Sequence, residues 1–167
     1  MKLKKRDLMR LNNAISAIEG RKFSVRFSYF LAKNKIQLKE DISLLDQLRI
    51  ASDEFKEYDG ERAKLALKHA DRNPDGSPKI DNQEFLITIK AGAFQEAVSK
   101  LKEDFEEVIK ERNEQLKDFE EILNEETTYD GAKIDYKDIP DDIEPVVIEV
   151  LLLAGLINEK VTLTSVK

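Results

Sequence analysis

The segment DRNPDGSPKIDNQE, residues 71–84, sets the oxygen donors Asp71, Asn73 and Asp75 at alternate positions ahead of Gly76. That is the spacing with which the first half of an EF-hand loop wraps a calcium ion, a hard cation that prefers oxygen ligands. The second half does not follow. The eighth and twelfth positions are Pro78 and Asn82, where the pattern needs an aliphatic residue and a bidentate acid, and Ile80 and Glu84 come two residues late. Pro74-Asp75-Gly76 reads more simply as a turn, because proline presets φ and glycine accepts the positive φ that follows. The favoured reading is a helix-to-strand turn, and a weak cation site on Asp71, Asn73 and Asp75 is the alternative.

Other chemistry-bearing residues are sparse. His69 is the sole histidine, so a multi-histidine metal site is excluded. It could act as a base beside Asp71 or Asp75, but its place at the end of ALKHADRN suits a structural cation at a helix C-terminus better. Glu103, Asp104, Glu106 and Glu107 lie around a helix among Lys100, Lys102 and Lys110, which fits a solvated face with i,i+4 pairs. There is no nucleophilic serine motif, no glycine-rich phosphate loop and no histidine-bearing metal helix. The expectation is a protein that is not an enzyme and needs no cofactor.

Phosphate binding is the other chemistry the residues allow. Residues 1–40 hold eleven Lys or Arg against three acids, while the whole chain carries a net charge of -6. Lys2, Lys4, Lys5, Arg6 and Arg10, extended by Arg21, Lys22 and Arg26, could grip a nucleic-acid backbone. They could equally pair with the acidic remainder of the same chain or of another copy, and overall acidity favours that reading. Phe23, Phe27 and Tyr29 interleave with these cations, but their regular alternation points to burial more than to base stacking.

The elements that would position these residues are mostly helical. Leu8, Leu11, Ala14, Ile15 and Ile18 predict an amphipathic helix over 6–19, stopped by Gly20. KFSVRFSYF alternates as a half-buried strand does, or serves as the lead-in to the next helix. Leu31, Leu38, Ile42, Leu45, Leu48 and Phe55 trace a helical stripe that Gly60 interrupts and ERAKLALKHA resumes. EFLITIK reads as a strand. Phe94, Val98, Leu101, Phe105, Val108, Phe119 and Ile122 mark a second long helix, with Arg112 and Gln115 breaking its seam.

Near the end, Asp130-Gly131 reads as a turn and the stretch around Ile134 to Tyr136 as a short extended piece, after which Asp141 or Asp142 should cap a helix running through VIEVLLLAGLI. That run has no polar face, so Val146, Val147, Val150, Leu153 and Leu156 must be covered by the core or by another subunit. VTLTSV, residues 161–166, reads as a last strand. These elements predict one mainly α domain with minor β over 1–167. Arms at about 29–70 and 93–124 would zip into a long antiparallel helical hairpin or coiled coil, on a small base made from 1–28, 80–90 and 127–167.

Composition agrees with that class: 41% hydrophobic residues suffice for a core, and 37% charged residues imply much solvated helix surface. No cysteine is present, which fits a reducing compartment. No apolar run reaches membrane-spanning length, and MKLKKRDLMR lacks the apolar segment of a secretory signal, so a soluble intracellular protein is expected.

The opening MKLKKRDLMRLNNAI, the stretch FSVRFSYFLAKNKIQLKEDI, the helix start FQEAVSKL and the tail KIDYKDIPDDIEPVVIEVLLLAGLINE together resemble a family of small bacteriophage-encoded proteins. The insertion HADRNPDGSPKIDNQEF departs from that pattern. The family's activity is not established, so the resemblance carries over no catalytic residue. It implies a viral setting in the host cytoplasm or the virion. The expected role is a structural or assembly protein that contacts other phage proteins or copies of itself. A host-factor or nucleic-acid-binding accessory protein using the basic N-terminal segment is the alternative.

Overall fold

The computed structural model describes residues 1–158, so the strand expected over residues 161–166 lies outside the described part. Six α-helices account for most of what is described, and the strands form three two-stranded sheets, so the fold is mainly α with minor β. The chain divides into two compact units. One joins Met1–Leu48 to the described residues from Asp118 onward, and the other is Arg49–Lys117.

In the first unit, β1 (Lys2–Lys4) leads into α1 (Lys5–Ile18). The sequence pattern does not reveal β1, which is three residues long and shows only Leu3 to the core. It pairs antiparallel with β4 (Glu126–Thr128), Leu3 opposite Thr127. The segment KFSVRFSYF resolves as a lead-in, because α2 (Val25–Leu48) begins within it. Leu8, Leu11, Ile15 and Ile18 of α1 share one core with Phe27, Phe30, Leu31 and Leu38 of α2. A smaller cluster sets Leu45 against Phe119 and Leu123.

β5 (Ile134–Asp135) runs parallel to β6 (Ile157–Asn158), and α6 (Pro145–Leu153) lies between them in sequence. α6 starts later than expected, with Glu144 and not Asp141 or Asp142 at its cap position. Pro145 explains the shift, because it suits the first helical position, where a missing N–H costs nothing. The helix also stops short of Leu156. Gly155 follows its last turn with φ 62, and a Cβ there would lie 2.7 Å from Met1 Sδ. The left-handed turn calls for glycine, while Met1 Sδ, at the end of a flexible side chain, can move aside.

In the second unit the helix break falls at residues 49–52, not at Gly60: α3 (Asp53–His69) runs straight through that glycine. A glycine inside a helix costs about 0.5–1 kcal/mol, which strong helix formers on both sides outweigh. Ser52 instead caps α3, its Oγ accepting the N–H of Phe55 at 3.1 Å, with Asp53 and Glu54 in the first turn. The chain then turns back through β2 (Ile80–Asp81) and β3 (Glu84–Phe85), so the expected strand EFLITIK shrinks to two residues.

The second arm is α4 (Ala91–Asp104) and α5 (Glu106–Asn124), separated only by Phe105. α3 packs along this arm, with the rings of Tyr58 and Phe105 5.7 Å apart and those of His69 and Phe94 5.9 Å apart. The early end of α3 thus meets the late end of α4, which makes the pair antiparallel.

Candidate functional site

α6 has two apolar sides. Val147, Leu151 and Ala154, at i, i+4 and i+7, sink into the core beside α1, and Leu156 follows them inward. Val147 and Leu156, expected as partner contacts, are thus core residues, because their stripe points at α1. Val146, Val150 and Leu153 repeat the i, i+4, i+7 spacing one residue earlier. Val146 is 63% exposed and Leu153 65% exposed, Val150 is half-buried, and Leu152 is exposed next to them. The core accounts for one face of VIEVLLLAGLI; the other is an apolar stripe facing outward.

The basic N-terminal residues are largely engaged within the chain. Lys2 pairs with Glu126 at 3.2 Å, Lys5 with Glu125 at 2.6 Å, Arg6 with Glu120 at 3.1 Å and Arg10 with Asp7 at 3.5 Å. The Lys4 N–H donates to Asp7 Oδ2 at the start of α1. Arg21 grips both Asp142 and Glu144, which raises its pKa, foremost through the Asp142 hydrogen bond. Arg26 pairs with Asp138 at 2.9 Å, and Lys35 with Glu19. The basic head and acidic tail of the sequence therefore meet inside one unit. The alternation of aromatics translates into burial only in part: Phe27 is buried, while Tyr29 stands exposed, because a helix turns successive residues by 100° where a strand would keep them on one side.

In the loop at 71–84 the three calcium-type donors turn to separate tasks. Asp71 is 5% exposed, and its carboxylate accepts the Thr88 hydroxyl, the Thr88 N–H at 3.1 Å and the Ile89 N–H at 3.1 Å. These bonds, the Thr88 hydroxyl first, hold its carboxyl below the ordinary value of 3.8 against the opposing effect of burial. Asp75 accepts the N–H and hydroxyl of Ser77 at 2.9 and 2.6 Å, which also lowers its pKa. Asn73 donates to Ser77 Oγ. The loop is tied by its own polar side chains as a turn is. His69 Nδ1 lies 3.0 Å from the Leu65 carbonyl in the last turn of α3.

The first unit also holds a buried polar centre that the sequence motifs do not reveal. Asn34 of α2 is 0% exposed, and its Nδ2 donates to the carbonyls of Phe30 and Ala132. Its Oδ1 accepts the Tyr129 hydroxyl at 2.8 Å, and burial pushes that phenol up to about 12. The sequence does carry a signal for it, since Asn34 falls in the stripe of Phe27, Leu31 and Leu38 where an apolar residue belongs. An asparagine there implies a buried hydrogen-bond partner. Arg112 and Gln115, the breaks in the seam of the second arm, also have a purpose. Arg112 donates to the Arg49 carbonyl and Gln115 to the Ile50 carbonyl, both at 2.9 Å, and the Arg112 guanidinium lies over the Phe55 ring. They satisfy carbonyls that the break before α3 leaves open.

No family model, curated protein or solved structure matches the chain. Among the described residues no helix is long and apolar enough to cross a membrane.

Proposed function

We propose that this chain is a non-enzymatic protein of the bacteriophage structural or assembly type, which works by docking apolar helix faces on protein partners and associates with copies of itself. The observation that carries this reading is the outward apolar surface of α6, Val146, Leu152 and Leu153, with Val150 between them packed partly on the core. Full burial of one such side chain is worth about 1.5–3 kcal/mol, so leaving several of them in water is costly for a monomer and favourable for a complex. The i, i+4, i+7 spacing of Val146, Val150 and Leu153 is the spacing with which a helix anchors in a groove or on another helix.

Two further features support it. Within the first unit Leu45 meets Phe119 and Leu123; within the second, Tyr58 meets Phe105 and His69 meets Phe94. Within the second unit α3 runs antiparallel to α4, the arrangement a helical hairpin requires. The internal pairing of Lys2, Lys5, Arg6 and Arg10 weighs against the nucleic-acid reading of that segment, since each cation already has a carboxylate partner.

The test is the double substitution Val146→Lys with Leu153→Lys, followed by light scattering on a sizing column. Wild type should show a molar mass that rises with concentration, and the variant should stay at 19.2 kDa with an unchanged circular dichroism spectrum. A wild type that remains monomeric at every concentration would remove the self-association.

A further inference from the structure

Arg26, Tyr29 and Lys33 lie at i, i+3 and i+7 on one side of α2, and with the segment around Lys133, Asp135 and Asp138 they line a groove of about 360 Å³. Both acids in it are occupied. Asp138 Oδ2 accepts from Arg26 at 2.9 Å, and Asp135 Oδ1 accepts from Asn158 Nδ2 at 2.9 Å. Lys33 and Lys133 differ from Lys2, Lys5, Arg6 and Arg26, because among the described residues no carboxylate comes within 4.0 Å of either ammonium group. Arg26, Lys33 and Lys133 against Asp135 and Asp138 leave the groove one positive charge in excess, in a chain of net charge -6. Tyr29 stands between Arg26 and Lys33 on the same helix face and is 67% exposed, a ring in water beside the cations.

We propose that the groove binds a nucleotide through its phosphate and its base, the phosphate held by Lys33 and Lys133 and the base stacked on the ring of Tyr29. Lysine is a point-charge partner for phosphate, and a tyrosine face accepts any base, so the site recognises the phosphate-plus-ring pair and not a sequence. The volume falls in the range of small-molecule sites. The ligand is either a free nucleotide or one unit of a single strand, which present the same chemistry. This site lies apart from the α6 stripe in its residues, so either can fail without the other.

The experiment titrates the full chain at low salt with thymidine 5′-monophosphate, a short oligothymidylate, thymidine, and inorganic phosphate. The monophosphate or the oligonucleotide should bind at least about tenfold more tightly than thymidine or phosphate alone, because only they engage both ring and cations. Lys33→Gln with Lys133→Gln should weaken binding about tenfold or more, and Tyr29→Ala about tenfold, while Lys2→Gln should change nothing. All four positions are on the surface, and circular dichroism verifies that each variant folds. Equal affinity for the mononucleotide and the oligonucleotide identifies a free nucleotide. Tighter oligonucleotide binding, with a log–log salt slope of about −0.7 for the one phosphate held, identifies a single strand. Absence of binding at millimolar ligand overturns the proposal. So does equal binding of inorganic phosphate, or equal loss in Lys2→Gln.

Discussion

Asn34, Tyr129 and Gly131 crowd against one another where the loop at 130–133 crosses α2. A Cβ on Gly131 would overlap Asn34 Oδ1 and come within 2.5 Å of Tyr129 Cε1 and 2.6 Å of Leu156 Cδ2. Gly131→Ala should therefore destabilise the first unit by about 1–3 kcal/mol, read as a lower urea midpoint at unchanged slope. A neutral substitution would mean that the loop does not press on α2 as described. Asp71 makes a prediction that depends on pH. Its folded pKa is depressed, so the stability it contributes is complete above the unfolded value near 3.8 and is lost as pH falls through the lower folded value. Thermal unfolding of wild type should show this acid loss, and Asp71→Asn should flatten it. An identical acid profile in the variant would show that the Thr88 and Ile89 bonds contribute nothing. Both residues can be read in part from the sequence, Gly131 as a turn residue and Asp71 as a donor at the head of a loop. What each touches is not local: the Asp71 partner Thr88 lies 17 residues on, and Gly131 meets α2 only through space. No short-range pattern reaches that far.

At the scale of elements, long helices are legible because their apolar stripes repeat over many turns, while short strands are not. β1, β5 and β6 have two or three residues each, too few for alternation to show. What fixes β1 is its pairing with Glu126–Thr128, Lys2 opposite Thr128, and that partner is distant in sequence. The helix break at 49–52 is legible in a different place from the one the glycine suggests. Ser52 followed by Asp53 and Glu54 is a helix-start signature, and it outweighs Gly60. The polar pair Arg112 and Gln115 is the matching half of that break, placed by tertiary contact. Ser52→Ala should cost about 1 kcal/mol, measured by thermal or urea unfolding. No change would indicate that α3 begins without its cap.

For the whole molecule, charge and hydropathy point in one direction. The cations of β1 and α1 face carboxylates of α5, β4 and the turn between them in the same unit, and such exposed pairs contribute roughly 0–1 kcal/mol each. Their effect is more to consume charge than to stabilise. What remains outward on the most apolar helix is a stripe of valine and leucine, and on that stripe the proposed function depends. The composition announces a buried or shared helix at the C-terminal end, yet does not say which of its side chains the core takes. The chain contains no cysteine, so Leu153→Cys supplies a single reporter thiol, with Val25→Cys, exposed at the start of α2, as its reference. The decisive measurement is the rate at which a small thiol reagent modifies each as protein concentration rises. The rate at position 153 should fall with concentration while that at position 25 stays constant. Equal and constant rates at both positions would contradict the account.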